Sequence, residues 1–448
     1  MTSSPDRPQL SHRDLAAYGS LAFPLAFAGI PLYVLAPDFY AAEYAVSLAA
    51  LAGVLLLIRL FDAVQDPLIG FFSDRYAAQR GKIIAAGFVM FVLGFALLFH
   101  PWAAAPLAWF AFCMVVAATG FSVLAINLGA LGSLWRRAPA EKARITAMRE
   151  AIGLCGLVLA ITLPGLLQMN LTIKESFSVY ALIFLAAAIG CGVVFRRWLA
   201  HAALDTTSEE TRSSDRWPHK VVKTRDGVFY IVYFLSMLAS ALPAVLVVFY
   251  IRDYLVAEAY LGGFLLLYFL AGLAGMPLWR AAAARWGAGP VWAASMLFAG
   301  VVFAAAVAIP PAGAMGLYAI VCLTSGLALG AELSLPPAFL SSVIDRRGAG
   351  AQTAACFALM SFLMKLALAL AGAGGLYALD LAGFLPRADN GPAALAWLSF
   401  LYAFLPAVLK VGAGGLMMFY LFKSRKEEDH EKTVGIDRIG GGHGARGV

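Results

Sequence analysis

Long apolar runs separated by short polar segments dominate the chain. About twelve of these runs reach the length of roughly 20 residues that an α-helix needs to cross a bilayer. The apolar residues are continuous rather than alternating, which excludes the pattern of an outer-membrane β-barrel. The pattern therefore predicts an all-α integral membrane protein, with spans that begin near Leu15, Tyr44, Ile83, Pro106, Ile152, Phe177, Gly227, Ala259, Val291, Gly313, Thr353 and Ala393.

A polar, charge-mixed segment divides the apolar runs into two sets of six. This predicts an N-terminal six-helix bundle over residues 1–199, a cytoplasmic linker over 200–225, a C-terminal six-helix bundle over 226–423 and a disordered tail over 424–448. The second half also repeats the first, because Asp74-Arg75 ends the second span and Arg280 ends the eighth. Two such repeats with a substrate site between them are typical of alternating-access carriers.

Composition supports the membrane assignment. Of the 448 residues, 62% are hydrophobic and 13% are charged, and the mean hydropathy is +0.81. A water-soluble domain could not keep so much apolar surface away from water. The five cysteines lie inside apolar runs without a paired spacing. We therefore expect no disulfide framework, no cofactor and no metal site beyond that of a transported cation.

Lysine and arginine concentrate in every second loop. Such loops stay in the cytoplasm, so both termini are predicted to be cytoplasmic, in the inner (plasma) membrane of the cell. The first apolar run is long and lacks a cleavage site, so we expect no signal peptide. The net charge of +7 reflects this loop bias, and we expect no nucleic-acid partner. The expected partners are the lipid bilayer and a small-molecule substrate, with the chain a monomer.

Three charged residues interrupt the second predicted span. Arg59, Asp62 and Asp66 are spaced i, i+3, i+7 and share one helical face. Each charge at the centre of a span costs roughly 2.5–3.5 kcal/mol, so this face must point to a protein interior or to water. Two carboxylates one turn apart offer four oxygen acceptors to a monovalent cation or a shared proton, and Arg59 limits their net charge.

The same region carries a family resemblance. The pattern Arg59-x-x-Asp62-Ala63-x-x-Asp66-Pro67-x-x-Gly70, followed by Asp74-Arg75 and Arg80-Gly81-Lys82, resembles the glycoside-pentoside-hexuronide:cation symporters of the major facilitator superfamily. Residues 330–338 and 361–369 extend the similarity into the second half. The resemblance implies the major facilitator fold, with twelve transmembrane helices in two six-helix bundles. It also implies a secondary transporter rather than an enzyme.

The resemblance implies a cation site and a charge partner for it. The two cation-binding carboxylates fall on Asp62 and Asp66, the amide on Gln65 and the hydroxyl on Ser122. Gln65 is longer than the asparagine of the melibiose carrier, so both Na⁺ and H⁺ remain possible coupling ions. Lys365 matches the family's helix-eleven lysine near the cation. Its alternative is a lysine whose amine snorkels to the interface.

The substrate site departs from the family pattern. The helix-four sugar contacts of the melibiose carriers fall on Ala125 and Gly129, which offer no polar partner. Two alternatives follow: a lysophospholipid-like amphiphile, as a related branch carries, or a sugar or sugar acid held by other residues. Those other residues are Asn127, Arg149, Tyr33, Tyr268 and Glu332. Arg149 has the alternative role of a loop charge paired with Glu150.

The resemblance also implies a cytoplasmic gate formed by Asp74, Arg75 and Arg80, although Asp74 could simply be a solvated charge at a helix end. We therefore predict a cation-coupled symporter of a small organic solute that works by alternating access. Proton-driven export or flipping of a lipid is the second hypothesis. A membrane enzyme with a catalytic carboxylate pair is the third, and the chain lacks a nucleophile or metal cluster for it.

Overall fold

A computed structural model describes residues 10–135, 139–202, 227–346, 352–385 and 388–440. All regular secondary structure in these ranges is helical. The N-terminal half contains α1 (in segments His12–Gly19, Ala22–Ile30, Pro31–Leu35 and Ala36–Tyr44), α2 (Leu48–Arg75), α3 (Arg80–Leu98), α4 (Pro106–Trp135), α5 (Pro139–Leu167) and α6 (Ile173–His201). The C-terminal half contains α7 (Gly227–Phe249, continued by Tyr250–Tyr254), α8 (Leu261–Trp286), α9 (Ala288–Ala306), α10 (Met315–Arg346), α11 (Thr353–Leu381) and α12 (in segments Pro392–Ser399, Phe400–Phe404 and Leu405–Gly440).

The helices are long enough to cross a bilayer. Among the described residues, ten helices have the length and apolar composition of a span, and the bent pair in α1 makes an eleventh when it is counted as one. The remaining helix, α2, is 28 residues long and carries the charged stripe. The all-α membrane fold predicted from the sequence is confirmed. The predicted linker lies mostly in residues 203–226, outside the described ranges.

Two predicted boundaries differ from the structure. α5 begins at Pro139, well before the predicted start at Ile152. The helix therefore includes the charged turns that the sequence analysis placed in a loop, because Glu, Lys, Ala and Arg are strong helix formers. α12 likewise continues as helix through Gly440, into the segment for which the sequence predicted disorder. The residues after Lys423 are rich in Lys, Arg and Glu and contain no proline, which favours helix.

The two faces of α2 differ sharply in burial. Asp62, Gln65 and Asp66 are buried, whereas Phe61 and Val64 are exposed. In a bilayer the exposed apolar face contacts lipid, and the polar face points to the protein interior. The periodicity of the charged residues therefore orients α2 about its own axis.

Each half has an aromatic core. In the N-terminal half, Phe95 and Phe184 pack with ring centroids 3.8 Å apart. In the C-terminal half, Tyr250 stacks on Tyr402 at 3.9 Å, and the Tyr402 and Tyr318 hydroxyls are hydrogen-bonded at 2.6 Å. Tyr250 and Tyr402 lie in π-helical segments of α7 and α12, which shift the side-chain register locally.

The halves meet through a symmetric set of helices. α2 packs on α11, and α5 packs on α8, while α4 also contacts α11 and α5 also contacts α10. In the two repeats α2 corresponds to α8, and α5 corresponds to α11. The α2–α11 contact and the α8–α5 contact are therefore equivalent. At Gly70 of α2, an added Cβ would lie 2.5 Å from the Ala358 Cβ and 2.9 Å from the Ala354 oxygen of α11. This glycine is required for the close approach of the two halves.

Polar contacts join the halves at the end of the bundle that carries the chain termini. Asp74, near the end of α2, accepts hydrogen bonds from the backbone N–H groups of Ala354 (2.9 Å) and Ala355 (2.8 Å) at the start of α11. Lys142 of α5 pairs with Asp345 of α10 at 2.6 Å and donates to the Ser341 carbonyl oxygen at 2.7 Å. These contacts hold the two halves together at this end.

Candidate cation and substrate sites

An ionic cluster lies between the two halves. The Lys365 amine of α11 donates to Asp66 Oδ1 at 2.9 Å and to Ser122 Oγ at 2.9 Å, and it lies 3.6 Å from Asp62 Oδ2. Ser361, one turn earlier in α11, donates to Asp66 Oδ2 at 2.7 Å. We call this set the interface cluster: Asp62, Gln65, Asp66, Ser122, Ser361 and Lys365. It joins α2 and α4 of one half to α11 of the other.

The two carboxylates have different surroundings. Asp66 is fully buried, and its two oxygens accept bonds from α11. Asp62 accepts bonds from its own half, from the Gln65 amide and from the Tyr33 hydroxyl at 3.3 Å. The Arg59 guanidinium stacks on the Tyr33 ring, 5.3 Å from its centroid. Asp66 is therefore the carboxylate whose bonds depend directly on the position of the other half.

The Gln65 side chain connects Asp62 to α4. Its amide nitrogen donates to Asp62 Oδ1, and its amide oxygen accepts a bond from Thr119 at 3.0 Å. An amide oxygen and a hydroxyl oxygen are ligands that hard cations prefer, as are carboxylates. Among the described residues, no group of three or more His, Cys, Asp and Glu side chains is placed to hold a metal ion. The cluster thus offers two carboxylates, hydroxyls and one amide, all close to a lysine amine.

A second ionic cluster lies inside the C-terminal half. Lys410 of α12 donates to Glu332 Oε2 of α10 at 2.6 Å and to Ser236 Oγ of α7 at 2.9 Å. The Ser236 hydroxyl in turn donates to Glu332 Oε1 at 2.7 Å. We call Ser236, Glu332 and Lys410 the C-terminal cluster. All three side chains are buried.

The C-terminal cluster borders a cavity of about 360 Å³. Residues of all six C-terminal helices line it, and we call it the C-terminal cavity. Glu332, Lys410 and Tyr268 are part of its wall. The rest is largely apolar and aromatic, with Phe264, Phe269, Phe303 and Tyr318 among the lining residues.

The other predicted substrate residues lie apart from this cavity. Asn127 is fully buried and donates to Ser73 Oγ (3.0 Å) and to the Val123 carbonyl (2.9 Å). An added Cβ at Gly129 would lie 2.6 Å from the Phe357 ring, so this position is filled by helix packing, while Ala125 is partly buried. Of the predicted set, Glu332 and Tyr268 line one cavity, and Tyr33 belongs to the surroundings of Asp62.

Arg149 lies within α5 and not before it, as its position in the sequence suggested. It donates to the Glu150 carboxylate through Nε at 2.9 Å and through a second guanidinium nitrogen. Arg149 is thus paired with Glu150, but it lies in a helix and not in a loop. Its backbone is close to α1, because an added Cβ at Gly19 would lie 3.2 Å from the Arg149 Cα.

The predicted gate residues lie at the terminus-bearing end. Arg80 pairs with Asp74 at 3.1 Å within the N-terminal half, and Arg75 is the last residue of α2. Across the interface, Asp74 binds backbone N–H groups in the first turn of α11, those of Ala354 and Ala355. Those groups have no partner inside a helix, and the positive end of the helix dipole favours a carboxylate there.

Four residues of the two clusters and their surroundings were not predicted from the sequence. Thr119, Ser236 and Ser361 have hydroxyl groups on apolar helices, which are too common to single out. Lys410 had a usable signal, because it lies between Leu409 and Val411 deep in the last apolar run. Lys365 has the same signal, because it lies between Met364 and Leu366 in an apolar run.

Two halves that each contain six helices among the described residues, joined around a buried ionic cluster, define a multi-pass membrane transporter of the major facilitator superfamily. The fold agrees with that of solved transporters. A bacterial homologue of the iron transporter ferroportin, in an outward-facing state, superposes with a TM-score of 0.72 at 16% identity, covering 92% of this chain and 99% of that one. The E. coli fucose:proton symporter gives 0.67 at 15% identity, with 91% and 98% covered. A proton:xylose symporter bound to 6-bromo-6-deoxy-D-glucose gives 0.65 at 13% identity, with 90% and 94% covered.

Within this superfamily, the chain belongs to the MFS/sugar transport protein family, which matches residues 15–423. The resemblance to the glycoside-pentoside-hexuronide:cation symporters predicted from the sequence is confirmed. The family consists of transporters and not enzymes. Among the curated proteins, none is significantly similar to the chain.

Proposed function

We propose that the chain is a cation-coupled symporter of a small organic solute that works by alternating access between its two six-helix halves. The observation that carries this proposal is the position of Lys365. Its amine binds Asp66 and Ser122 across the interface and lies within 4 Å of Asp62. Na⁺ or H⁺ that neutralised these carboxylates would compete with the amine for the same oxygens.

This competition links the cation to the conformation. When Asp62 and Asp66 are neutralised, Lys365 loses its carboxylate partners, and its contact between α2 and α11 is weakened. Cation binding and solute binding then need only favour the same rearrangement of the halves for transport to be coupled. Asp62, Gln65, Asp66 and Ser122 are the cation-binding residues of this proposal, and Lys365 with Arg59 provides the compensating charge.

The contacts at the terminus-bearing end support an outward-facing state. Asp74 and Lys142 hold the halves together there. If this end is cytoplasmic, as the basic loops predict, the solute enters from the opposite side. Opening toward the cytoplasm then requires the Asp74 contacts to α11 and the Lys142 contacts to α10 to break. We assign Asp74, Arg75 and Arg80 to this gate.

The test is the response of the purified chain to cations. Ligands that bind the folded state raise its melting temperature, so Na⁺, Li⁺ or a lower pH should stabilise the wild type. Asp62→Asn and Asp66→Asn should each abolish this response and the cation-driven uptake of solute into proteoliposomes. Glu43→Gln is the control, because Glu43 pairs with Lys174 at 3.5 Å, away from the cluster. Cation-driven uptake that survives both aspartate substitutions would refute the mechanism.

For the solute, the family supports a sugar, and the missing polar groups at Ala125 and Gly129 favour a second candidate, an amphiphile such as a lysophospholipid. Unpaired sugar hydroxyls are costly to bury, about 1–3 kcal/mol each. Uptake of hexoses and sugar acids should be compared with uptake of lysophospholipids in the same proteoliposomes. Outward lipid movement driven by a proton gradient, without a response to Na⁺, would indicate a flippase rather than a symporter.

A further inference from the structure

The C-terminal cavity has a polar end and an apolar body. At the polar end, Glu332 (8% exposed) and Lys410 (2% exposed) form a buried ion pair that nevertheless faces the cavity. The body is lined by aliphatic side chains and by six aromatic rings, including Phe264, Phe303 and Tyr318. A cavity of about 360 Å³ with few convergent polar groups on an apolar wall has the features of a small-molecule site.

The ion pair restricts the charge of an occupant. Glu332 and Lys410 neutralise each other at 2.6 Å, so a charged ligand would bring an uncompensated charge into a buried site. A neutral hydroxyl avoids this cost. The Lys410 amine has three N–H donors, of which Glu332 and Ser236 occupy two, and the Glu332 carboxylate has spare lone pairs. One hydroxyl group can therefore accept a bond from Lys410 and donate one to Glu332.

The side chains that line the cavity restrict the shape and polarity of the part of the ligand that lies against them. Flat aromatic rings pack well against aromatic side chains in offset or edge-to-face arrangements. Phe264 and Tyr318 already form an edge-to-face pair, with centroids 4.9 Å apart, at one side of the cavity. The occupant that fits both ends is a neutral ring system with a hydroxyl group.

The cavity also adjoins the interface cluster through α11. Met364 and Leu368 line the cavity, and Lys365 lies between them in the helix and faces Asp66 of the other half. A movement of α11 that releases Lys365 also moves one wall of the cavity. The cavity and the interface cluster therefore share α11 as a common wall.

We propose that the C-terminal cavity binds an aromatic, hydroxyl-bearing part of the transported solute, with Glu332 and Lys410 as its specificity residues. This proposal rests on the transport function proposed above. Of the two solute classes named above, it favours a sugar that is joined to a hydroxyl-bearing aromatic group over a lysophospholipid, which has no aromatic ring.

Binding of 2-naphthol to the full chain in lipid nanodiscs tests the proposal, with 2-methylnaphthalene as the analogue that lacks the hydroxyl. Wild type should be stabilised by 2-naphthol, with a Kd about tenfold lower than for the methyl analogue, the effect of one or two hydrogen bonds. Ala244 lines the cavity and is exposed, so Ala244→Trp should fold and block binding. Val301→Trp, on the exposed face of α9, is the matched control and should bind normally.

A second variant tests the polar end. Glu332→Leu combined with Lys410→Met removes both buried charges together, which avoids leaving one of them unpaired. This double variant should bind 2-naphthol and the methyl analogue equally. The proposal would be overturned if the double variant kept a tenfold preference for 2-naphthol. It would also be overturned if 2-naphthol bound equally well to the wild type and to Ala244→Trp.

The outcomes also separate this proposal from the transport mechanism. Asp66→Asn should lose the response to cations and keep the binding of 2-naphthol. If the wild type responds to cations but binds no naphthol, the cavity proposal fails and the symport mechanism stands. If naphthol binds as expected but the wild type responds to no cation at any pH, the symport mechanism fails and the cavity proposal stands.

Discussion

Lys365 and Lys410 each bind a buried carboxylate and a serine hydroxyl, yet the two clusters connect different parts of the molecule. Lys365 joins α11 of the C-terminal half to α2 and α4 of the N-terminal half. Lys410 joins α12 to α7 and α10, all within the C-terminal half. A contact between the halves must break when they move relative to each other, whereas a contact inside one half persists. The same chemistry therefore suits coupling at the interface and ligand recognition within the C-terminal half.

The largest expected effect is on the free energy of unfolding when the Lys410 charge is removed. Lys410 is more deeply buried than Lys365, whose side chain is 18% exposed. Lys410→Met should leave Glu332 as an uncompensated buried charge and destabilise the chain by about 3–5 kcal/mol. Thermal unfolding in nanodiscs would show this as a lower melting temperature. Lys410→Met with Glu332→Gln should recover most of the loss, and a single variant as stable as wild type would contradict a structural ion pair.

The burial of charges in apolar helices explains what the sequence could predict. Asp62 and Asp66 were found because each interrupts an apolar run, and Lys365 was found through the family resemblance. The structure brings the three together. The partner of a buried charge is harder to predict than the charge itself. Lys410 and Glu332, for example, are separated by 78 residues in the sequence and meet only through helix packing. Asn127 was predicted to contact the substrate, but its side chain donates to Ser73 where α4 packs on α2. Residue type indicates that a partner is needed, and tertiary structure decides which one.

The fold was predictable for a related reason. Apolar length fixes the number of spans and the polar linker fixes the two sets of six, because no membrane helix can be much shorter than the bilayer. The ends of the helices were less predictable. Arg149 appeared to precede α5, since charged turns at its start resemble a loop in hydropathy while their residues are good helix formers.

The second test concerns movement. Lys365→Met should remove one of the two charges that compensate Asp62 and Asp66, together with the contact to α11, so the halves should separate more readily at the terminus-bearing end. Coupling energies of this kind are about 1–3 kcal/mol, which changes the ratio of the two populations by roughly 5- to 150-fold. Spin labels at Gln79→Cys and Trp286→Cys, both exposed, would report the distance between the halves once the five native cysteines are replaced.

The matched control for this measurement is Ser236→Ala in the C-terminal cluster. Because Ser236, Glu332 and Lys410 all lie in one half, this variant should leave the distance distribution as in wild type. Added Na⁺ or a lower pH should partly restore the closed population of Lys365→Met, since either would neutralise the carboxylates. An equal shift of the distance distribution in Lys365→Met and Ser236→Ala would contradict the idea that only the interface cluster holds the halves together.

The smallest expected effect is on the choice of coupling ion. Gln65 holds Asp62 through its amide nitrogen and reaches Thr119 with its amide oxygen at 3.0 Å. Gln65→Asn shortens the side chain by one methylene, so it cannot keep both bonds, and losing one neutral hydrogen bond costs about 0.5–1.5 kcal/mol. The freed amide oxygen becomes available to a cation near Asp62. We therefore expect the stabilisation by Na⁺ to increase relative to that by H⁺, measured as melting temperature against Na⁺ at several pH values. Thr119→Val removes the same bond but leaves the amide length unchanged, so a matching change in that variant would trace the effect to the lost bond and not to the reach of the amide.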